Sequence, residues 1–95
     1  MTEQTNSISI EQCCSYYSVE VAFVQSLNEH GLIELIQQDT HYFIGFEQLA
    51  NLEKYMYMHY DLDINIEGLE AIAHLLNKVQ TLQTEVRALR NELGK

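Results

Sequence analysis

The sequence predicts a mainly α-helical chain: a winged helix-turn-helix with a small β-hairpin wing and a long C-terminal coiled-coil helix. Apolar residues recur at helical spacing on both sides of a short turn near Ser18. Two short β-prone runs follow, and a heptad repeat occupies the last third of the chain. We expect a single domain over residues 1–95, with the winged helix-turn-helix over 8–60 and a dimerisation helix over 66–93.

The first helix is predicted over residues 10–16. Residues 9–12 read Ser-Ile-Glu-Gln, which is the spacing of a capping box, and Ile8 and Cys13 are placed to form an apolar staple across the first turn. Residues 1–7 are polar, and we expect them to be loose.

The second helix is predicted to begin after Ser18, whose hydroxyl is a candidate N-cap. It should end at Gly31, because glycine accepts the positive φ that commonly follows a helix. Its apolar residues at helical spacing are Val19, Phe23, Val24 and Leu27.

A hairpin and a third helix should follow. The strands are predicted over residues 32–36 and 41–44, and the third helix over 46–60. The end of this helix reads Tyr-Met-Tyr-Met-His-Tyr, with bulky side chains on every face. We expect Met56 and Tyr60 to face the core, and Tyr57 is a candidate for an interface.

Residues 61–65 are predicted to be a linker in which Asp63 or Asn65 caps the last helix. Their Asp-x-Asp-x-Asn pattern resembles the start of a calcium loop. The match fails further on, because Ile66 stands where glycine is needed and Ile72 where a bidentate glutamate is needed. A capped linker is the better interpretation.

The last helix carries the strongest structural signal, a heptad repeat with branched residues at a and leucine at d. Such a seam exceeds what one small chain can cover, so we expect a homodimer. Glu85 and Arg90 could pair across a parallel dimer, and an antiparallel one stays open. The predicted dimer-interface residues are Ile72, Leu75, Val79, Leu82, Val86, Leu89 and Leu93.

The charge distribution points to the kind of partner. The net charge is −9, and no lysine or arginine precedes Lys54, although eight carboxylates do. Such a chain should repel DNA phosphates and anionic membranes, and it should attract a basic protein surface. A merely solvated acidic face is the alternative. The eight carboxylates belong to Glu3, Glu11, Glu20, Glu29, Glu34, Asp39, Glu47 and Glu53, and the five cations are Lys54, Lys78, Arg87, Arg90 and Lys95.

Catalytic and metal-binding patterns are missing from the sequence. It contains no glycine-rich phosphate loop, nucleophile elbow or zinc-ligand spacing, and its histidines are scattered. Cys13 and Cys14 are adjacent, so a disulfide between them would be strained, and we expect both to be buried in packing. We therefore expect a protein that is not an enzyme and has no cofactor, metal or small-molecule substrate. With neither a signal peptide nor a membrane span, it should be cytoplasmic.

Several segments together resemble the MerR-type winged helix, and more closely its offshoot, the CbpM family of chaperone modulators. They are residues 10–14, 18–19, 27–33, 42–44 and 46–49, and the likeness extends over about residues 8–93. The resemblance implies a small dimer that binds the J-domain of a DnaJ-like co-chaperone and inhibits its work with DnaK.

The departures from DNA-binding relatives support this interpretation. Those relatives show an Arg-Tyr-Tyr-Glu-like stretch where residues 25–28 read Gln-Ser-Leu-Asn, and a Gly-Tyr-Arg wing where 41–43 read His-Tyr-Phe. Ser18 also replaces a glycine. The alternatives are a MerR-like DNA-binding transcription regulator that contacts DNA elsewhere, and a scaffold that acts through its coiled coil alone.

The resemblance also implies where the partner binds, since J-domains of this kind present a basic helix. Acids of the winged-helix half should cover that helix, with Tyr57 as an apolar anchor. The candidate acids are Glu20, Glu29, Glu34, Asp39, Glu47 and Glu53.

Overall fold

The computed structural model describes residues 6–94. Of residues 1–7, which were expected to be loose, 1–5 lie outside this range, as does the cation Lys95, and the expectation was wrong for Ser7, which pairs with Gly45 in a strand. A 3₁₀ turn, Phe46–Gln48, precedes the third helix, and a π-helical segment, Tyr57–Asp61, follows it. The mainly helical chain with a small sheet and a long last helix agrees with the sequence prediction. In order, the elements of the described chain are β1 (Ser7–Ser9), α1 (Ile10–Tyr17), α2 (Val21–Glu29), β2 (Leu35–Gln38), β3 (His41–Gly45), α3 (Leu49–Met56) and α4 (Ile66–Leu93).

The helix-turn-helix forms as expected except at its turn. The Ser9 hydroxyl accepts a hydrogen bond from the Gln12 amide at 3.1 Å, which confirms the predicted cap of α1. Ser18 was wrongly predicted to cap α2. It adopts a left-handed conformation, with φ of 60°, that ends α1, and Glu20 occupies the N-cap of α2 without a side-chain hydrogen bond. The turn is therefore set by the end of the first helix.

The sheet is antiparallel, with strand order β1-β3-β2. Strand β1 was missed, because three residues are too few to show an alternating pattern; its Ile8 pairs with Ile44 of β3. The hairpin forms, but β2 begins at Leu35 rather than at residue 32, since Ile33 is drawn into the core.

One core joins the first three helices to β3 and to the start of α4. Cys13 and Cys14 are buried and unpaired, as predicted. Tyr60 was wrongly assigned to the core, since it is 48% exposed and Tyr55 is buried instead. The third helix does not run to residue 60 as an α-helix: α3 ends at Met56, and Tyr60 lies in the π-helical segment that follows. The buried side chains are Ile10, Cys13, Cys14, Phe23, Val24, Leu27, Ile33, Ile44, Leu52, Tyr55 and Leu69.

Helix α4 begins with the predicted cap and then leaves the core. The Asn65 side-chain oxygen accepts a hydrogen bond from the Gly68 amide at 2.8 Å. Leu69 is fully buried, and Ile66 and Ala73 pack around it, so only the first two turns of α4 rest on the rest of the chain. Every residue from 74 to 94 is exposed. The coiled coil requires a second chain and stays a prediction.

Candidate partner-binding surface

The face that would meet DNA in a helix-turn-helix is acidic and polar. The second helix of such a unit normally enters the major groove. Here α2 exposes Ala22, Gln25 and Glu29, and the tip of the β2–β3 hairpin exposes Asp39 and His41. No lysine or arginine lies between residue 6 and Lys54 to contact phosphate.

A shallow groove separates the helix-turn-helix turn from α3 and its π-helical extension. One wall is formed by the end of α1 and the turn. The other is formed by positions on α3 and the π-helical segment that share one face of the helix. We call this the tyrosine groove; its lining residues are Tyr17, Ser18, Val19, Glu53, Met56, Tyr57, Tyr60 and Asp61.

A hydrogen bond connects the two walls of the tyrosine groove. The Tyr17 hydroxyl donates to Glu53 Oε2 at 2.7 Å. This hydrogen bond, followed by burial and the nearby Glu53 charge, raises the pKa of Tyr17 to about 12. Tyr17 is therefore a neutral donor at physiological pH, and it fixes one oxygen of the carboxylate.

The exposed rings give the tyrosine groove its character. Tyr57 is 56% exposed and Tyr60 48% exposed, while Val19 and Met56 pack against the core beneath them. Burial and the Glu20 carboxylate raise the pKa of Tyr60. The groove therefore combines an apolar floor, three tyrosines and two carboxylates. The candidate residues did not include Tyr17, Tyr60 and Asp61. These three lie near Glu53 and Tyr57 because of the turn at Ser18 and the π-helical segment, which the sequence did not indicate.

The six candidate acids are all exposed but do not share one site. Glu53 lines the tyrosine groove beside Tyr57, and Glu20 lies with Tyr60 in an adjoining depression that also contains Ser26 and His59.

The other four acids lie elsewhere. Glu34 lines a separate polar recess, where its amide donates to Gln48 Oε1 at 3.3 Å. Asp39 sits at the hairpin tip with φ of 58°, Glu29 ends α2, and Glu47 lies in the 3₁₀ turn. The structure thus groups Glu20, Glu53 and Tyr57 around Tyr60 and leaves the rest dispersed.

An apolar stripe runs along the distal part of α4. Of the predicted dimer-interface residues, Ile72 is half-buried within its own chain and the other six are exposed. Leu76, which lies beside the predicted a and d positions, is also 47% exposed. We call the exposed set the α4 stripe: Leu75, Leu76, Val79, Leu82, Val86, Leu89 and Leu93.

Other kinds of site find little support in residues 6–94. No group of three or more histidine, cysteine, aspartate or glutamate residues in this range could hold a metal ion. Burial, then the Cys14 charge, raises the pKa of Cys13 to about 11, so its thiol is a poor nucleophile at neutral pH. None of the helices in this range is long and apolar enough to cross a membrane.

Comparison with known proteins defines the class. A family model described as a MerR HTH family regulatory protein matches residues 8–91. The match takes in both the helix-turn-helix and α4, and the chain belongs to this family. No curated protein matches the chain. No solved structure matches it either.

Proposed function

We propose that this chain is a non-catalytic chaperone modulator of the CbpM type, which binds the J-domain of a DnaJ-like co-chaperone and inhibits its action with DnaK. The observation that carries the proposal is the charge of the helix-turn-helix and wing. Within the described residues, every acid ahead of Lys54 is exposed, and no lysine or arginine accompanies them. A family member built in this way is suited to a basic protein surface.

Electrostatics argues for this partner over DNA. Affinity for duplex DNA comes largely from cations that neutralise phosphates, and this face offers none. The same acids would attract a basic helix and accelerate its association. An acidic winged helix could therefore cover the basic helix of a J-domain and compete with DnaK for it.

The proposal includes a homodimer formed through α4 and a cytoplasmic location. The α4 stripe supports the dimer, because its leucines and valines are about half exposed or more in a single chain. A second copy carries the same stripe and could bury it. No cofactor is needed, since the proposed action is competitive binding.

A DNA-binding transcription regulator is the second candidate, and family membership favours it. Its DNA contacts would have to use cations outside α2 and the wing. In the described residues those are Lys54 and the three on α4, which are Lys78, Arg87 and Arg90.

Surface plasmon resonance of the full chain against the host's J-domain tests the proposal. Glu29→Lys with Glu34→Lys should slow association by about threefold or more and weaken its salt dependence, whereas Glu70→Lys with Glu92→Lys, two exposed acids of α4, serves as the charge-matched control. Labelled duplex DNA tests the alternative. A gel shift at micromolar protein, together with no J-domain binding, would replace the modulator with the regulator.

A further inference from the structure

We propose that the tyrosine groove is the specificity pocket of the acidic face and binds the guanidinium of one arginine from a basic protein segment. This inference rests on the proposed function, which supplies the basic partner, and it names the site and the side chain that is recognised. The juxtaposition of Tyr17, Tyr57 and Tyr60 with Glu53 and Asp61 carries it.

The rings and carboxylates of the groove suit a planar cation. Tyrosine faces carry partial negative charge and attract a guanidinium that stacks on them. Both walls present such rings, and each exposed tyrosine has a carboxylate among its groove neighbours. Arginine fits better than lysine, because it can stack on a ring while donating two hydrogen bonds to a carboxylate.

Glu53 is already positioned for this role. Its Oε2 accepts the Tyr17 hydroxyl at 2.7 Å, which fixes the side chain across the groove and leaves Oε1 to accept from a guanidinium. A partner would not have to order this long side chain, so less conformational entropy is lost on binding.

The groove has no cation of its own. Lys54 follows Glu53 in the chain but does not line the groove, and its Nζ lies 6.0 Å from the ring centroid of Tyr55, a core residue. No cation of the groove lining therefore neutralises the carboxylates of Glu53 and Asp61. A third carboxylate, that of Glu20, lies with Tyr60 in the adjoining depression. Charge complementarity selects a basic occupant.

One wall of the groove is built partly on the π-helical segment. Its backbone makes a hydrogen bond from the Leu62 amide to the Tyr57 carbonyl at 3.3 Å, one residue wider than in an α-helix. This turn is the part of the groove that carries Tyr57, Tyr60 and Asp61. Single π-helical turns occur frequently at functional sites, despite poorer hydrogen bonding.

Fluorescence anisotropy with two labelled helical peptides tests the proposal on the full chain. The peptides are identical except that citrulline, a neutral isostere, replaces every arginine. The arginine peptide should bind at least about tenfold more tightly, and Tyr57→Ala or Glu53→Gln should weaken it by about five- to tenfold. Tyr57→Phe keeps the ring face and should bind within about twofold of the unmodified chain.

Matched controls separate the pocket from general acidity. Phe46 is 46% exposed and lies outside the groove, so Phe46→Ala should leave binding unchanged; Glu29→Gln removes an exposed acid away from the groove and should cost less than twofold. In Glu53→Gln the amide oxygen can still accept from Tyr17, so any loss of binding reports the charge.

Several outcomes would overturn the proposal. Equal binding of the two peptides, or a Glu29→Gln effect as large as that of Glu53→Gln, would show general electrostatic attraction only. Tighter peptide binding by Arg87→Gln or Arg90→Gln would show that the cationic end of a second copy fills the groove instead.

The J-domain separates this inference from the proposed function. If the chain binds the arginine peptide selectively but does not bind the J-domain, the proposed function is contradicted and the arginine pocket is supported. J-domain binding that is unchanged by Tyr57→Ala and by Glu53→Gln would show that the groove is not the arginine pocket, and the proposed function would still stand.

Discussion

Residues 6–65, which we call the head, and the distal part of α4, residues 74–93, place their apolar side chains in opposite ways. The head buries Val24, Leu27 and Leu52 completely, whereas Leu75, Leu82 and Leu89 of α4 are each nearly 60% exposed. The same residue type therefore meets two environments within one chain. Much of the apolar surface of the head is buried in a core that it shares with the start of α4, whereas the leucines and valines of distal α4 have no such core in a single chain.

Charge divides the chain in the same way. The head carries nine carboxylates against Lys54 alone, whereas α4 carries four carboxylates against three cations. Two heads should repel each other, and two α4 helices should not. We therefore propose that like chains attract through α4 and that the head attracts a basic partner.

Loss of the dimer is the largest effect that the comparison predicts. Leu82→Lys with Val86→Asp puts charge into the middle of the α4 stripe, whose burial should contribute about 1–2 kcal/mol per side chain. We expect the mass measured by light scattering to fall from about twice 11.0 kDa to 11.0 kDa. Gln80→Lys adds a charge to the same helix away from the seam and should keep the dimer.

The state of the head provides an internal control for this variant. Cys13 and Cys14 are buried in the head core, so their thiols should stay unreactive towards a thiol reagent in both variants. A monomer with reactive cysteines would mean that the chain has unfolded. An unchanged dimer mass in the doubly charged variant would show that the α4 stripe does not form the dimer interface.

A matched pair of leucine truncations gives the next effect. Leu52 is fully buried in the head, so Leu52→Ala should lower the free energy of unfolding by about 2–5 kcal/mol at every protein concentration. Leu89 is 58% exposed, so Leu89→Ala should cost less than about 1 kcal/mol in the monomer and more where dimers form. Urea unfolding at two protein concentrations measures both. Equal and concentration-independent costs would contradict the division between the two regions.

The sequence predicted the head well where periodicity and capping act locally. The caps at Ser9 and Asn65, the end of α2 before Gly31 and the two buried cysteines are all in place. The caps and the helix end depend on residues within one turn of helix, and the burial of the cysteines follows from the apolar face of α1; a single sequence can show both.

The misses have backbone causes that side-chain spacing does not show. Strand β1 exists through its pairing with β3, and the left-handed Ser18 ends α1 through backbone hydrogen bonds to the Cys14 and Ser15 carbonyls. Tyr60 lies on the π-helical turn and is exposed, and nothing in the spacing of residues 55–60 indicated this turn. Glu53 and Tyr57 were candidates, but the groove that joins them to Tyr17 could not be predicted without these features.

The smallest predicted effect concerns the hydrogen bond across the tyrosine groove. The hydrogen bond to Glu53, followed by burial and the Glu53 charge, raises the pKa of Tyr17 from 10.0 to about 12. Glu53→Gln should return this pKa towards 10. The pKa is measured by ultraviolet titration. Since the chain has six tyrosines, the titration curve of Tyr17→Phe is subtracted from that of the unmodified chain to isolate the Tyr17 signal.

The same pair should make a small part of the stability depend on alkaline pH. The folded pKa lies above the unfolded value, so the hydrogen bond stabilises fully below about pH 10 and is lost as the pH rises towards 12. Tyr17→Phe should therefore cost about 1 kcal/mol at pH 8 and less at pH 11, measured by urea unfolding at each pH. Glu53→Gln, which keeps a neutral acceptor, should show a weaker pH dependence than the unmodified chain. A Tyr17→Phe cost that does not change between pH 8 and 11 would mean that the hydroxyl does not bond to the carboxylate, and that the walls of the groove are not joined in this way.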